Sequence, residues 1–143
     1  LTFSAGEKRV IVNYKGWKIL PLVCYDLRFP VWNCNRFEDG SYDYDMAIYI
    51  ANWPHVRTHA WKVLLQARAI ENQCWVVASN RVGIDGKEIY YSGNSAVINP
   101  YGEEITSVID EETVLEAEAD LDFLNSYRNK FSVASDWDKF QIL

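Results

Sequence analysis

Cys24 closes an apolar run, Ile19-Leu20-Pro21-Leu22-Val23, and the chain turns polar at once through Tyr25-Asp26-Leu27-Arg28 before Phe29-Pro30. A thiol at the end of a buried strand, just ahead of a helix N-terminus, sits where backbone N–H groups and the helix dipole favour negative charge. Such surroundings promote the thiolate, which is the nucleophilic form. Against this stands the commoner role of cysteine as a small buried hydrophobe. Cys34 and Cys74 read as packing thiols of that kind.

Other side chains offer weaker chemistry. Asp26 and Arg28 straddle Leu27, where they can form a local ion pair that fixes the turn or face a substrate carboxylate; the structural role is the more common. Trp53 either shapes a pocket wall or fills core. Arg81 has the fork that binds a carboxylate bidentately, although loop arginines are usually solvated. His55 and His59 stand four apart, a metal-compatible spacing, but without a third ligand or an internal glutamate they read as solvated helix histidines, and no metal is expected. Neither histidine carries the local signature of a papain-like cysteine–histidine pair. Glu71, close to Arg68, reads as a structural charge.

The elements that must position these groups alternate in type. Short strands are expected over 9–13 and 17–23, joined by a hairpin turn at Tyr14-Lys15-Gly16. Pro30 suits the first turn of a short helix running through Val31, Trp32 and Phe37, and Glu38-Asp39-Gly40-Ser41 is a turn. A buried strand over 46–51 is broken by Asn52-Trp53-Pro54. From 55 to about 72, Val56, Ala60, Val63, Leu64, Ala67 and Ile70 recur at helical spacing, which predicts a long amphipathic helix. Strands follow near 74–79, 95–98, 104–109 and 113–119, with Gly83-Ile84-Asp85-Gly86 as a loop and Asn99-Pro100-Tyr101-Gly102 as a turn. A closing helix over 121–130 takes Asp120 or Asp122 as its cap. Strands interleaved with helices, several apolar throughout, give an α/β fold with mixed sheets covered on at least one face.

Composition narrows the class. The 143 residues, 49% hydrophobic and 15% aromatic, supply one packed core and a single domain over 1–143. A net charge of −6 with no basic run excludes a nucleic-acid partner. The apolar runs fall far short of the roughly 20 residues of a membrane span, so no membrane partner is expected. Three cysteines, an odd number, suit free thiols in a reducing compartment, and cytoplasm is the expected location. The chain opens on Leu1-Thr2-Phe3-Ser4-Ala5-Gly6, a turn-like segment with no initiator methionine, as expected of processing or of the later part of a longer protein.

Val23-Cys24-Tyr25-Asp26-Leu27-Arg28-Phe29-Pro30 resembles the nucleophile motif of the nitrilase, or carbon–nitrogen hydrolase, superfamily. Further segments resemble that family in order: Ala51-Asn52-Trp53-Pro54, Trp61 with Gln66-Ala67-Arg68-Ala69-Ile70-Glu71-Asn72-Gln73, Ser79-Asn80-Arg81-Val82-Gly83, and Gly93-Asn94-Ser95 through Asn99-Pro100-Tyr101-Gly102-Glu103. Only the tail from Ser132 lies outside the likeness. The Tyr-Asp-Leu-Arg-Phe-Pro continuation and the Asn-Trp-Pro loop resemble the omega-amidase branch most.

That resemblance implies an α-β-β-α sandwich, subunits stacked as α-β-β-α-α-β-β-α homodimers, and no metal or organic cofactor. It implies hydrolysis of the terminal amide of a small carboxylated amide, such as 2-oxoglutaramate, to the acid and ammonia. Cys24 would be the nucleophile and the Tyr25 backbone N–H an oxyanion donor, with Trp53, Arg28 and Arg81 as substrate-binding residues. The family's general-base glutamate and oxyanion lysine lie upstream of its cysteine. Glu7, Lys8, Lys15 and Lys18 do not stand in those motifs, so the chain is expected to be the C-terminal portion of the domain, inactive alone. Alternatives are another carbon–nitrogen hydrolase specificity (carbamoylase or nitrilase) or a non-catalytic, nitrilase-like interaction module.

Overall fold

The computed structural model describes residues 6–140, so the turn-like opening over 1–5 lies outside the described residues. Strand β1 (Val12–Tyr14) pairs antiparallel with β2 (Trp17–Val23) through a two-residue turn. Lys15 and Gly16 sit at φ 47° and 85°. Two successive positive φ values define the type I′ turn, whose twist matches that of the flanking strands. After β2 come a 3-10 helix (Cys24–Arg28) and the one-turn α1 (Pro30–Asn33).

The short helix expected to reach Phe37 therefore ends at Asn33. Phe37 instead opens a small hairpin, β3 (Phe37–Glu38) with β4 (Ser41–Tyr42), turned at Asp39 and Gly40 as the sequence suggested. Its ring packs against Tyr42 at a centroid distance of 4.9 Å.

Strand β5 (Met46–Ala51) lies parallel to β2, and β6 (Trp75–Asn80) lies parallel to β5. The connection from β5 to β6 is a 3-10 turn (His55–Arg57) followed by α2 (Thr58–Glu71). Strand β8 (Tyr90–Ile98) runs antiparallel to β6, to β7 (Val82–Ile84) and to β9 (Glu104–Ile109), completing a seven-stranded mixed sheet. Residues expected in the Gly83–Gly86 loop thus begin as strand β7. The strand expected over 113–119 is irregular chain with no ladder partner among the described residues. Its alternating pattern is strand-like, but a strand is assigned by its neighbour, and no other described strand runs beside it.

Helix α2 covers one face of the sheet. Leu20, Leu22, Ala47, Tyr49, Val76, Ala78, Ala96 and Ile98 meet Trp61, Leu65 and Ala69 there, all buried. The periodicity is met only in part: Ala60 and Leu64 pack partly buried against this core, whereas Val56, Val63 and Ile70 are exposed. The inward face carries Trp61, whose indole donates to the Asn94 carbonyl at 2.8 Å, and the buried Arg68.

On the other face, α3 (Leu121–Lys130) covers one end of the sheet through Leu124 against Trp75 and Val97. Asp120 caps it as expected, accepting from the N–H groups of Asp122 and Phe123. Arg128 ties it down: the guanidinium bonds the Asp45 carboxylate at 2.7 Å and the carbonyls of Tyr44 and Gln73, and lies 3.8 Å over the Tyr42 ring. The opposite end of this face is an open groove of about 930 Å³ floored by Pro21, Val23, Ile48 and Ile50.

Cys74 is fully buried, and burial pushes its thiol up to about 12. The buried phenols of Tyr44 and Tyr49 are raised for the same reason. These groups keep their protons in the fold and lose them when unfolded, so their stabilisation is whole below the ordinary thiol value of 9.0 and falls as pH rises toward 12. Urea midpoints of the longest natural chain containing these residues should decline from about pH 9 upward, and Cys74→Ala should flatten the first part of that decline. An identical slope in the variant would contradict the assignment.

Candidate active site

The parallel strands β2, β5 and β6 end together. Val23 stands opposite Ile50, Ile50 opposite Ser79, and Ala51 opposite Asn80. The residues that follow them, Cys24, Asn52-Trp53 and Arg81, are therefore gathered at one edge, the carboxyl ends of parallel strands, where open α/β sheets bind ligands.

Cys24 occupies the left-handed region at φ 43°. A non-glycine residue there costs on the order of 1 kcal/mol and persists only where its surroundings fix it. Those surroundings are explicit. The Val23 N–H donates to the Asp26 carboxylate at 2.8 Å. The Asn33 amide donates to the carbonyls of Asp26 and Phe29, and its oxygen accepts from the Tyr49 hydroxyl at 2.7 Å. From α2, Arg68 donates to the Leu27 carbonyl at 2.7 Å and pairs with Glu71 at 2.8 Å. Asp26 is thus structural, as expected, but through a backbone N–H; among the described residues it forms no ion pair with Arg28.

Cys24 itself opens a five-residue 3-10 helix, followed by a single turn of α1, so the field of a long helix is not available to the thiol. What remains is local: the Tyr25 N–H lies in the first turn, where a helix offers its own donors no acceptor. The Cys24 sulfur lies 4.0 Å from the Asn52 carbonyl oxygen and opens on a cavity of about 180 Å³ lined by Cys24, Tyr25, Arg28, Asn52, Trp53, Pro54 and Arg57.

Trp53 is 4% exposed, and the Arg28 guanidinium lies 4.9 Å over its ring. It serves as both pocket wall and core. Arg81 is not in the lining; its guanidinium stacks 5.0 Å over Tyr91. His55 is not simply solvated, since its Nδ1 lies 2.8 Å from the Ser92 hydroxyl and its ring 5.0 Å from that of Tyr90. Burial raises the thiols of Cys34 and Cys74, in keeping with packing roles.

Two contributors were not singled out from sequence. Asn80 holds the Trp53 loop, accepting from the Trp53 N–H at 2.7 Å and donating to the carbonyls of Trp53 and Gly93 at 3.1 and 2.6 Å. An asparagine one step past an apolar strand was the available signal. Arg57 reaches the pocket from the 3-10 turn before α2, where nothing in its neighbours marks it.

A thiol held on a strained turn at a strand's end, beside the N–H groups of a first helical turn, is the arrangement by which α/β hydrolases present a nucleophile. The model of the carbon-nitrogen hydrolase family matches residues 1–129, and the chain belongs to that family. It is 51% identical over 143 residues to the omega-amidase YafV of Escherichia coli K12, covering 99% of this chain and 54% of that protein. It is 36% identical over 136 residues to the 2-oxoglutaramate amidase of Bacillus subtilis, covering 95% and 51%. Among solved structures, the CN-hydrolase superfamily protein XC1258 from Xanthomonas campestris, described with an arsenic adduct in its active site, superposes with a TM-score of 0.96 at 44% identity, covering 99% of this chain and 54% of that one. The chain spans about half the length of the relatives it matches. The mixed α/β sheet expected from sequence is that of these nitrilase-superfamily neighbours.

Asn80→Ala removes three hydrogen bonds from a partly buried site. The variant should lose about 1–3 kcal/mol in urea denaturation, with slower alkylation of Cys24 by iodoacetamide as the Trp53 loop loosens. Wild-type stability together with wild-type alkylation would show that the loop is held by other contacts.

Proposed function

We propose that this chain is the nucleophile-bearing part of an omega-amidase, which hydrolyses the terminal amide of a small carboxylated amide such as 2-oxoglutaramate to the acid and ammonia. The observation that carries the reading is the strained Cys24 turn, with Tyr25 in the first turn of the 3-10 helix, facing a small pocket walled by Trp53 and Arg28. The omega-amidase and 2-oxoglutaramate amidase relatives support the substrate class.

In this mechanism the Cys24 thiolate adds to the amide carbonyl and the oxyanion takes a hydrogen bond from the Tyr25 N–H. Oxyanion donors in acyl-transfer sites contribute about 3 kcal/mol each. The tetrahedral adduct collapses as the C–N bond breaks and ammonia leaves with a proton. Water then cleaves the thioester, releasing the acid and restoring the thiol. A general base must take the thiol proton and later activate that water. We assign this base, and a lysine beside the oxyanion, to elements outside these residues. The open groove that runs past Val23 and Asp26 gives such elements a place to pack. Thiolate, base and hydrogen-bond donors suffice for this acyl transfer, so the reading includes no metal or organic cofactor.

Arg81, stacked on Tyr91 near the ends of the same strands, is retained as a substrate contact of the assembled pocket. The reading includes a cytoplasmic location, with three unpaired cysteines and no helix long and apolar enough to cross a membrane among the described residues. It also includes a homodimer. Tyr101 packs onto Phe123 and Tyr127 of α3, Tyr127 onto Phe131, and Tyr101, Phe123 and Phe131 of this aromatic row are themselves exposed. A contiguous apolar surface of this kind suits a subunit contact.

In the longest natural chain containing these residues, ammonia release from 2-oxoglutaramate should fall by at least about a thousandfold in Cys24→Ala. Intact mass should reveal a covalent adduct in the parent protein alone; activity that survives the substitution would sink the mechanism. Residues 1–143 by themselves should release no ammonia. Sedimentation velocity should report a dimer that Phe123→Glu converts to monomer, and a monomeric parent would remove the dimer from this reading.

A further inference from the structure

The charge of the Cys24 pocket is one-sided. Of its lining residues only Arg28 and Arg57 are ionisable cations, and no carboxylate joins them, in a chain whose net charge is −6. Neither arginine belongs to an ion pair among the described residues. Both are organised by the same side chain. The Trp53 ring carries the Arg28 guanidinium on its face, while its indole N–H donates to the Arg57 carbonyl at 2.8 Å.

The backbone that bears Arg57 is anchored further. Its N–H donates to the Pro54 carbonyl at 2.9 Å, and the turn is bolted to β8 by His55 and Thr58, whose Nδ1 and Oγ1 lie 2.8 and 3.3 Å from the Ser92 hydroxyl. An incidental surface arginine has no need of such a base. Here a fixed backbone places Arg57, exposed and with no side-chain hydrogen bond or ion pair among the described residues, in the lining of a pocket that already holds another arginine.

We infer that Arg57 is a specificity-determining residue of this pocket, which with Arg28 receives the carboxylate of the substrate while Cys24 takes the amide. The inference rests on the reading of Cys24 as an amidase nucleophile. A guanidinium fork matches a carboxylate bidentately, and a site built to pair a charged group discriminates against analogues that lack it. The cations would also draw anionic amides toward a protein of the same sign of charge.

The test compares glutaramate with the neutral amide of equal length, pentanamide, in the longest natural chain containing these residues. Arg57→Gln should lower the ratio of kcat/KM for the charged over the neutral substrate by roughly ten- to a hundredfold, the loss of one charge-assisted contact, chiefly through KM, with Arg57→Lys in between. An equal loss for both amides overturns the assignment. Alkylation of Cys24 provides a readout independent of turnover. The thiolate displaces iodide from iodoacetate or from iodoacetamide, and peptide mass gives both rates. Arg57→Gln should cut the preference for the anionic reagent by about threefold, the scale of one charge several ångströms away in water. An unchanged preference overturns the role of Arg57 whether or not the protein releases ammonia, so failure here is separable from failure of the amidase reading.

Discussion

The turn at the end of β2 is the constraint on which the site depends. Cys24 adopts a backbone conformation that an unsupported cysteine would leave, and three elements prevent it from doing so. The Asp26 carboxylate holds the Val23 N–H, Asn33 holds the carbonyls of the next turn, and Arg68 reaches from α2 to the Leu27 carbonyl. Arg68 is 4% exposed, with its charge shared between that carbonyl and Glu71. Burying a guanidinium is costly unless its donors are used. The fold accepts that cost where it stiffens the turn bearing the thiol.

The two faces of the sheet are unequal in a way that matches this arrangement. One is sealed by α2, and its core runs from Leu20 to Ile98. The other is sealed at one end by α3 and open at the other, with Val23 and Ile50 more than half exposed. The open end lies beside Cys24. In the proposed reading, where Cys24 takes a base and a cation from other elements, the thiol thus stands next to the apolar surface onto which those elements can pack. Completion of the core and completion of the catalytic set would then be the same event.

Much of this was legible in the chain. Strand β5, strand β9 and helix α3 fall where periodicity and the Asp120 cap put them, because their signals are local. The failures are of a different kind. Helix α2 falls where its spacing puts it, but helical spacing alone does not say which of two apolar stripes meets the sheet: Val63 and Ile70 are exposed, whereas Trp61, Leu65 and Ala69, with Arg68, are buried. Residues 113–119 alternate like a strand, yet strandhood is a property of two segments, and the second is not among those described. Within the site, motif order singled out Cys24, Arg28 and Trp53. Asn80 and Arg57 became visible only when the ends of β5 and β6 were brought into register, because their roles lie in what they hold across 27 and 4 residues.

Arg128 separates the docking of α3 from the building of the site. Its contacts with Asp45 and Tyr44 span 83 and 84 residues, whereas the bonds that shape the Cys24 turn and the Trp53 loop all fall between Val23 and Ser95. Closing a long loop is slow relative to pairing near neighbours. The bonds that shape the pocket thus close shorter loops than those that dock α3, and none of them involves α3, whose docking clasps a site it does not build.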